Sequence, residues 1–229
     1  MNSASFQGGA IAPGELISII GSNFSASAAQ SFDPASNQVP TKLQNVQVFF
    51  DGHPGAMTAI APNQINVFVP GSVVGNLTTS LSVFVGGAGS ASLNVPIASA
   101  AFGLFSANAT SSGQGAILNQ DESVNSSANP AAVGSVISLF GTGAGLLSPP
   151  LPDGAFTGAA PFPQVPGAMT VNIGGQPADI LYAGAAPFLP NGIVQINVRI
   201  PPGAKSGDNP VSVILGGAAT SQQVTCAVQ

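Results

Sequence analysis

The chain has no tryptophan, one tyrosine, one cysteine and one histidine, and only three cations, Lys42, Arg199 and Lys205. Each scarcity closes off a class of function. With Cys226 alone, no intrachain disulfide and no cysteine-built zinc or iron–sulfur site can form. With His53 alone, and in the turn Asp51-Gly52-His53-Pro54, a hydrolytic triad lacks a convincing base; a turn-surface role fits better, since the matching residue in the second half is Gln176. Three cations against a net charge of −5 leave nothing to neutralise a phosphate backbone or an anionic membrane, so nucleic acid is excluded as a partner. The longest apolar stretches, such as 16–20 and 97–105, are too short or too interrupted to span a bilayer, and no membrane span is expected. No basic, apolar signal segment opens the sequence, which is uninformative for a mature form or a domain.

The eight carboxylates, Glu15, Asp33, Asp51, Asp121, Glu122, Asp153, Asp179 and Asp208, are scattered and mostly sit in turns, where a short acidic side chain caps the backbone. No pair is placed for glycosidase chemistry. Asn119, Asp121, Glu122 and Asn125 form the one dense group of side-chain oxygens. Their spacing is not that of an EF-hand, and a hairpin turn explains the same residues. No cofactor and no catalytic residue are therefore expected.

Neutral polar residues, 29 glycines and 20 prolines fill the positions that charge leaves vacant, and an apolar fraction of 45% is enough for a core. The organising feature is an internal repeat. Gln64-Ile65-Asn66-Val67-Phe68-Val69-Pro70 returns as Gln195-Ile196-Asn197-Val198-Arg199-Ile200-Pro201. Other landmarks follow in the same order. Gly14-Glu15-Leu16-Ile17-Ser18-Ile19-Ile20-Gly21 is echoed by Gly134-Ser135-Val136-Ile137-Ser138-Leu139-Phe140-Gly141, Asp51-Gly52 by Gly174-Gly175, and Val83-Phe84-Val85-Gly86-Gly87 by Val213-Ile214-Leu215-Gly216-Gly217. The offset drifts from about 120 to 131 residues, as expected when surface loops differ in length.

Short runs with period-two alternation, bounded by Gly, Pro and Asn, predict strands at 15–21, 46–50, 57–61, 64–69, 80–85 and 91–98. In the second half they predict 136–140, 169–173, 179–183, 194–200, 211–215 and 221–228, with a small hairpin in 114–130. No helix is expected beyond one turn at 26–30. The fold class is all-β: two tandem immunoglobulin-like antiparallel β-sandwiches, residues 1–103 and 104–229, joined through a hinge at 101–113. Cys226 falls on the apolar face of the last strand, as a small core residue.

Taken together, 13–21, 62–67, 115–125 and 187–198 resemble the Solibacter-type C-terminal domain found at the ends of large secreted bacterial proteins. Each half also looks like a degenerate IPT/TIG immunoglobulin-like domain. Phe102, Phe188 and Glu122 depart from that pattern, locally. The resemblance implies a secreted, extracellular or cell-surface module without catalysis.

The functional expectation is a structural, spacer or adhesion module whose partners are other protein domains or copies of itself. One alternative is a self-assembling subunit, because uncharged strand edges lack the residues that discourage pairing between molecules. Another is carbohydrate binding, which wants an aromatic platform and here finds only Tyr182 among the residues usually used. Alternation points Phe68 and Phe84 away from their own core. If 64–69 and 80–85 pair as a hairpin across 70–79, the two rings are neighbours on an outer face and form a candidate interaction surface.

Overall fold

The structure is a computed structural model and describes residues 1–24, 29–220 and 222–229; most of the turn expected at 26–30 lies outside them. Among the described residues there is no α-helix, and one 3-10 turn, Gly71–Val73. The protein consists of β-sandwiches whose strand pairings, among the described residues, are antiparallel apart from the short edge strand Ser112–Gln114, which runs parallel to Gln223–Val228; the isolated bridges Ile11–Ile97 and Ala131–Val228 are also parallel.

In the first half one sheet runs Leu16–Ile20, Gln64–Phe68, Ala56–Ala61, Gln30–Ser31. The other runs His53–Pro54, Val46–Phe50, Thr78–Val85, Ala88–Gly89, with Leu93–Pro96 also on Thr78–Val85. Alternate residues of each sheet meet in a core of Ile17, Met57, Ile60, Ile65 and Val67 from one side and Val46, Val48, Phe50, Leu81 and Val83 from the other. The hairpin expected between 64–69 and 80–85 is not formed. These strands belong to different sheets, because the ten residues between them cross from one layer to the other.

The second half repeats the plan with one difference. There Gln176–Ala185 runs unbroken from one layer to the other, pairing first with Met169–Ile173 and then with Ile193–Arg199. In the first half Gly55 interrupts the equivalent path, where an added Cβ would come within 2.5 Å of Val67 and 2.9 Å of Phe50. Both copies carry a bulge at the same place, between Met57 and Ala59 and between Ile180 and Tyr182. The core includes Ile137, Leu139, Ile196, Val198, Val213 and Cys226, which is fully buried. Its thiol is pushed up to about 12 by burial, the signature of an inert packing residue.

The repeated Gln-x-Asn has a structural cause. Leu16–Ile20 pairs with Gln64–Phe68 so that Ser18 faces Asn66, and Ser18 Oγ donates to Asn66 Oδ1 at 3.0 Å while Gln64 Nε2 donates to the same oxygen at 2.7 Å. In the second copy Ser138 Oγ donates to Asn197 Oδ1 at 3.0 Å and Gln195 Nε2 donates to it at 2.8 Å. Neutral amides thus satisfy one another on the polar face of each sheet, a task that charged cross-strand pairs often perform. The hairpin turns are equally repetitive: Asp51-Gly52 and Gly174-Gly175 all have positive φ, the conformation of a two-residue turn whose twist matches its strands.

Because each asparagine oxygen serves two donors, Asn66→Ala and Asn197→Ala should each cost about 1–2 kcal/mol in urea unfolding. A loss in one copy with none in the other would show that the two networks are not equivalent.

Candidate functional site

Two regions of the first sandwich use residues that its own core does not. The first is the contact with the second half. Phe68, the last residue of its strand, is 3% exposed yet lies outside the core cluster. It packs instead with Val39, Ala56, Leu16 and Phe32 from the first half and Phe156 and Ile193 from the second. Phe32 and Phe156 meet with ring centroids 6.0 Å apart. Gly192 has φ +105°, and a side chain there would strike the carbonyl of Gly14 and come within 2.8 Å of the Phe68 ring, so the backbones touch where any other residue would hold them apart.

Polar groups seal the contact. Thr142, fully buried at the end of Val136–Thr142, accepts the amide of Leu16 at 2.8 Å on its hydroxyl and donates to the carbonyl of Gly192 at 2.8 Å. Asp153 receives the amide of Gly71 on both oxygens, at 2.9 and 3.2 Å. The amide of Val39 donates to the carbonyl of Gly154 at 2.8 Å. At the other end of the junction, Gln222 donates to the carbonyl of Ala4 and accepts from the amide of Leu104, while Asn2 donates to the carbonyl of Ala101.

Glu15 sits one residue before this contact and is fully buried. Its Oε2 accepts the amide of Ala12 at 2.7 Å, and its Oε1 has no partner. Burial pushes the carboxyl up to about 8, against the opposing effect of the Ala12 amide.

The second region is the outer face of the other sheet. Gln47 lies opposite Phe84 and Phe49 opposite Ser82, which sets the two rings on a diagonal. They meet edge to face, centroids 5.4 Å apart at 84°. With Lys42, Asn45 and the bare turns at Gly52 and Gly86-Gly87 they line an open cavity of about 500 Å³.

Phe68 and Phe84 are therefore not neighbours: one is covered by the second half and the other opens to solvent in the opposite sheet. Phe49, the actual neighbour of Phe84, is concealed in the sequence by an apolar strand, although the alternation of Val46, Val48 and Phe50 turns it outward. Phe32 and Phe156 fall in segments without periodicity. Tyr182 is partly buried, its ring against Phe162 and its hydroxyl donating to the carbonyl of Ala185 at 2.6 Å, so it offers no platform.

His53 is exposed in the short strand beside Phe50. The side-chain oxygens of Asn119, Asp121 and Asn125 are engaged within the protein: Asp121 accepts from Ser123, and buried Asn125 exchanges hydrogen bonds with the backbone of Ala227 and donates to Asn119. The favourable bonds from Ser123 hold the Asp121 carboxyl below its ordinary range.

Residues 2–97 match the model of the IPT/TIG domain family. No curated protein matches the chain. Among solved structures it is similar to SGBP-B of the Bacteroides ovatus mixed-linkage glucan utilization locus in complex with a mixed-linkage heptasaccharide, at 13% identity and a TM-score of 0.33, covering 96% of this chain and 43% of that one. It is also similar to the full extracellular region of plexin A4, at 12% identity, TM-score 0.31, covering 96% and 15%. A third is SGBP-B from a complex xyloglucan utilization locus in Bacteroides uniformis, at 10% identity, TM-score 0.30, covering 95% and 45%. The chain spans less than half the length of each.

A carboxyl whose folded pKa is raised favours the folded state only while it holds its proton. Below about 4.5 the proton is bound in both states and this stability is fully present. Between about 4.5 and 8 the unfolded chain loses the proton and the folded one keeps it, so stability falls by about 1.4 kcal/mol per pH unit. Urea unfolding at pH 5 and pH 8 should show this slope, and Glu15→Gln should flatten it. An identical slope in the variant would mean that another group titrates.

Proposed function

We propose that the chain is a non-enzymatic extracellular module that holds neighbouring parts of a longer protein at a fixed distance and angle on a cell surface. The observation that carries this reading is the small apolar cluster shared by the two sandwiches around Phe68. A flexible string of domains needs no such cluster, and domains within one chain move relative to one another unless the contact is apolar and closely packed. Full burial of a ring such as Phe68 stabilises by about 1.5–3 kcal/mol, of which the second half supplies the share covered by Phe156 and Ile193, and Asp153, Thr142 and Gly192 add directional constraints.

The IPT/TIG match over 2–97 and the motif resemblance to the Solibacter-type C-terminal domain support an extracellular setting. The division into units at 1–103 and 104–229 belongs to the same proposal: Ile97 still packs on the first core, while Ala100 and Phe102, at the junction, already pack on the second.

X-ray scattering tests it. The intact chain should fit one rigid envelope, and Phe156→Ser, which removes an apolar ring from the contact but from neither core, should raise the radius of gyration and split a single unfolding transition into two. Scattering from the unaltered chain that requires an ensemble of domain orientations would defeat the proposal.

A further inference from the structure

We propose that the groove between Phe49 and Phe84 binds a neutral pyranosyl oligosaccharide. This inference is independent of the spacer reading, since it concerns the opposite sheet from the domain contact.

The argument begins with how polar residues of one kind are used on the two faces of the same sandwich. On one sheet Gln64, Asn66 and Ser18 are all spent on one another. On the other, Asn45, Gln47, Ser82 and Lys42 surround two aromatic rings, and among the described residues none of their side chains has a hydrogen-bond partner. These groups are arranged about an apolar floor with their donors and acceptors free.

The floor itself is set in place. The Phe84 ring lies against Gly89, where an added Cβ would come to 3.0 Å of it, and Phe49 meets it edge-on. Two rings fixed by packing lose little freedom when a ligand covers them. The cavity, about 500 Å³, is within the range of small-ligand sites. The glycine turns at either end bear no side chains to close it, so a chain longer than the groove can continue past both ends.

Chemistry selects the occupant. The lining carries no carboxylate, so a strongly basic ligand finds no counter-charge there, and the one exposed ammonium, Lys42, makes only a weak site for an anion. An apolar peptide would cover the rings with side chains that cannot pair with Asn45, Gln47 or Ser82, leaving only its backbone for them, whereas a sugar carries hydroxyls around every ring. A pyranose ring meets both requirements. Its C–H face rests on an aromatic ring, while its equatorial hydroxyls reach Asn45, Gln47, Ser82 and Lys42.

Titration of the full chain with cellohexaose, laminarihexaose and mannohexaose, followed by amide NMR, tests the proposal. At least one should give saturable shifts at Phe49, Ser82 and Phe84 and at the side-chain amides of Asn45 and Gln47. Phe84→Ala should weaken that binding about tenfold, and Gln47→Leu, which keeps both rings, should weaken it with an unchanged melting temperature. Oligogalacturonate and a valine-rich peptide should give no shifts at these positions. Absence of shifts with all three neutral sugars at millimolar concentration overturns the proposal, as does binding that both variants leave intact, or stronger binding of the peptide.

Discussion

The placement of the two sandwiches depends on one steric fact, the approach of the backbone at Gly192 to that at Gly14. Only glycine at 192 can hold φ +105° and leave room for both the Gly14 carbonyl and the Phe68 ring. Once that approach is made, Thr142 is near enough to bridge Leu16 and Gly192, and the loop carrying Asp153 and Phe156 falls over Gly71 and Phe32. The contact is therefore cooperative. Its polar bonds have good geometry because the glycine sets the distance, and they flank the apolar cluster around Phe68.

Scarcity of charge shapes everything else. Exposed ion pairs contribute little in most proteins, so the chain forgoes little stability by omitting them, but it must still satisfy its buried polar groups. It does so with amides and hydroxyls: Ser18-Asn66-Gln64 and its copy within the sheets, Asn125 against the last strand, Gln222 at the junction. Such bonds are insensitive to salt. Glu15 is the exception, a carboxyl sealed beside the domain contact with one oxygen unmatched, and it makes the contact region dependent on pH in a protein that otherwise has little to titrate.

Much of the architecture was legible in the sequence because the repeat supplied two readings of each strand. The alternation at 64–69 and 80–85 assigned the core residues Ile65, Val67, Leu81 and Val83 to their proper faces. Alternation, however, specifies a face and not a partner strand, and a ten-residue connection can form a hairpin or cross to the other layer. The expected pairing of these two strands failed for that reason, and with it the adjacency of Phe68 and Phe84. The short strands Gln30–Ser31, Gly103–Leu104 and Ser112–Gln114 have too few residues to show any period. Phe156 lies in a proline-rich loop, where nothing local indicates that a ring from the other half awaits it.

Comparing the copies separates scaffold from specialisation. Ser18, Gln64, Asn66 and the turn at Asp51-Gly52 have counterparts that do the same work in the second half, so they belong to the framework. Three outward positions differ in a way that the core does not explain. Phe68, which docks on the second half, corresponds to Arg199, whose guanidinium reaches the carbonyl of Gly134 at the surface. Phe49 and Phe84 correspond to Asn172 and Ile214, which lie on the same diagonal of the same sheet but provide no aromatic floor. Since the core does not require rings at any of these positions, their presence in one copy needs a cause outside that core. For Phe68 the cause is visible in its packing with Phe156 and Ile193 of the second half; for Phe49 and Phe84, held in place beside unspent amides, the proposed cause is a ligand.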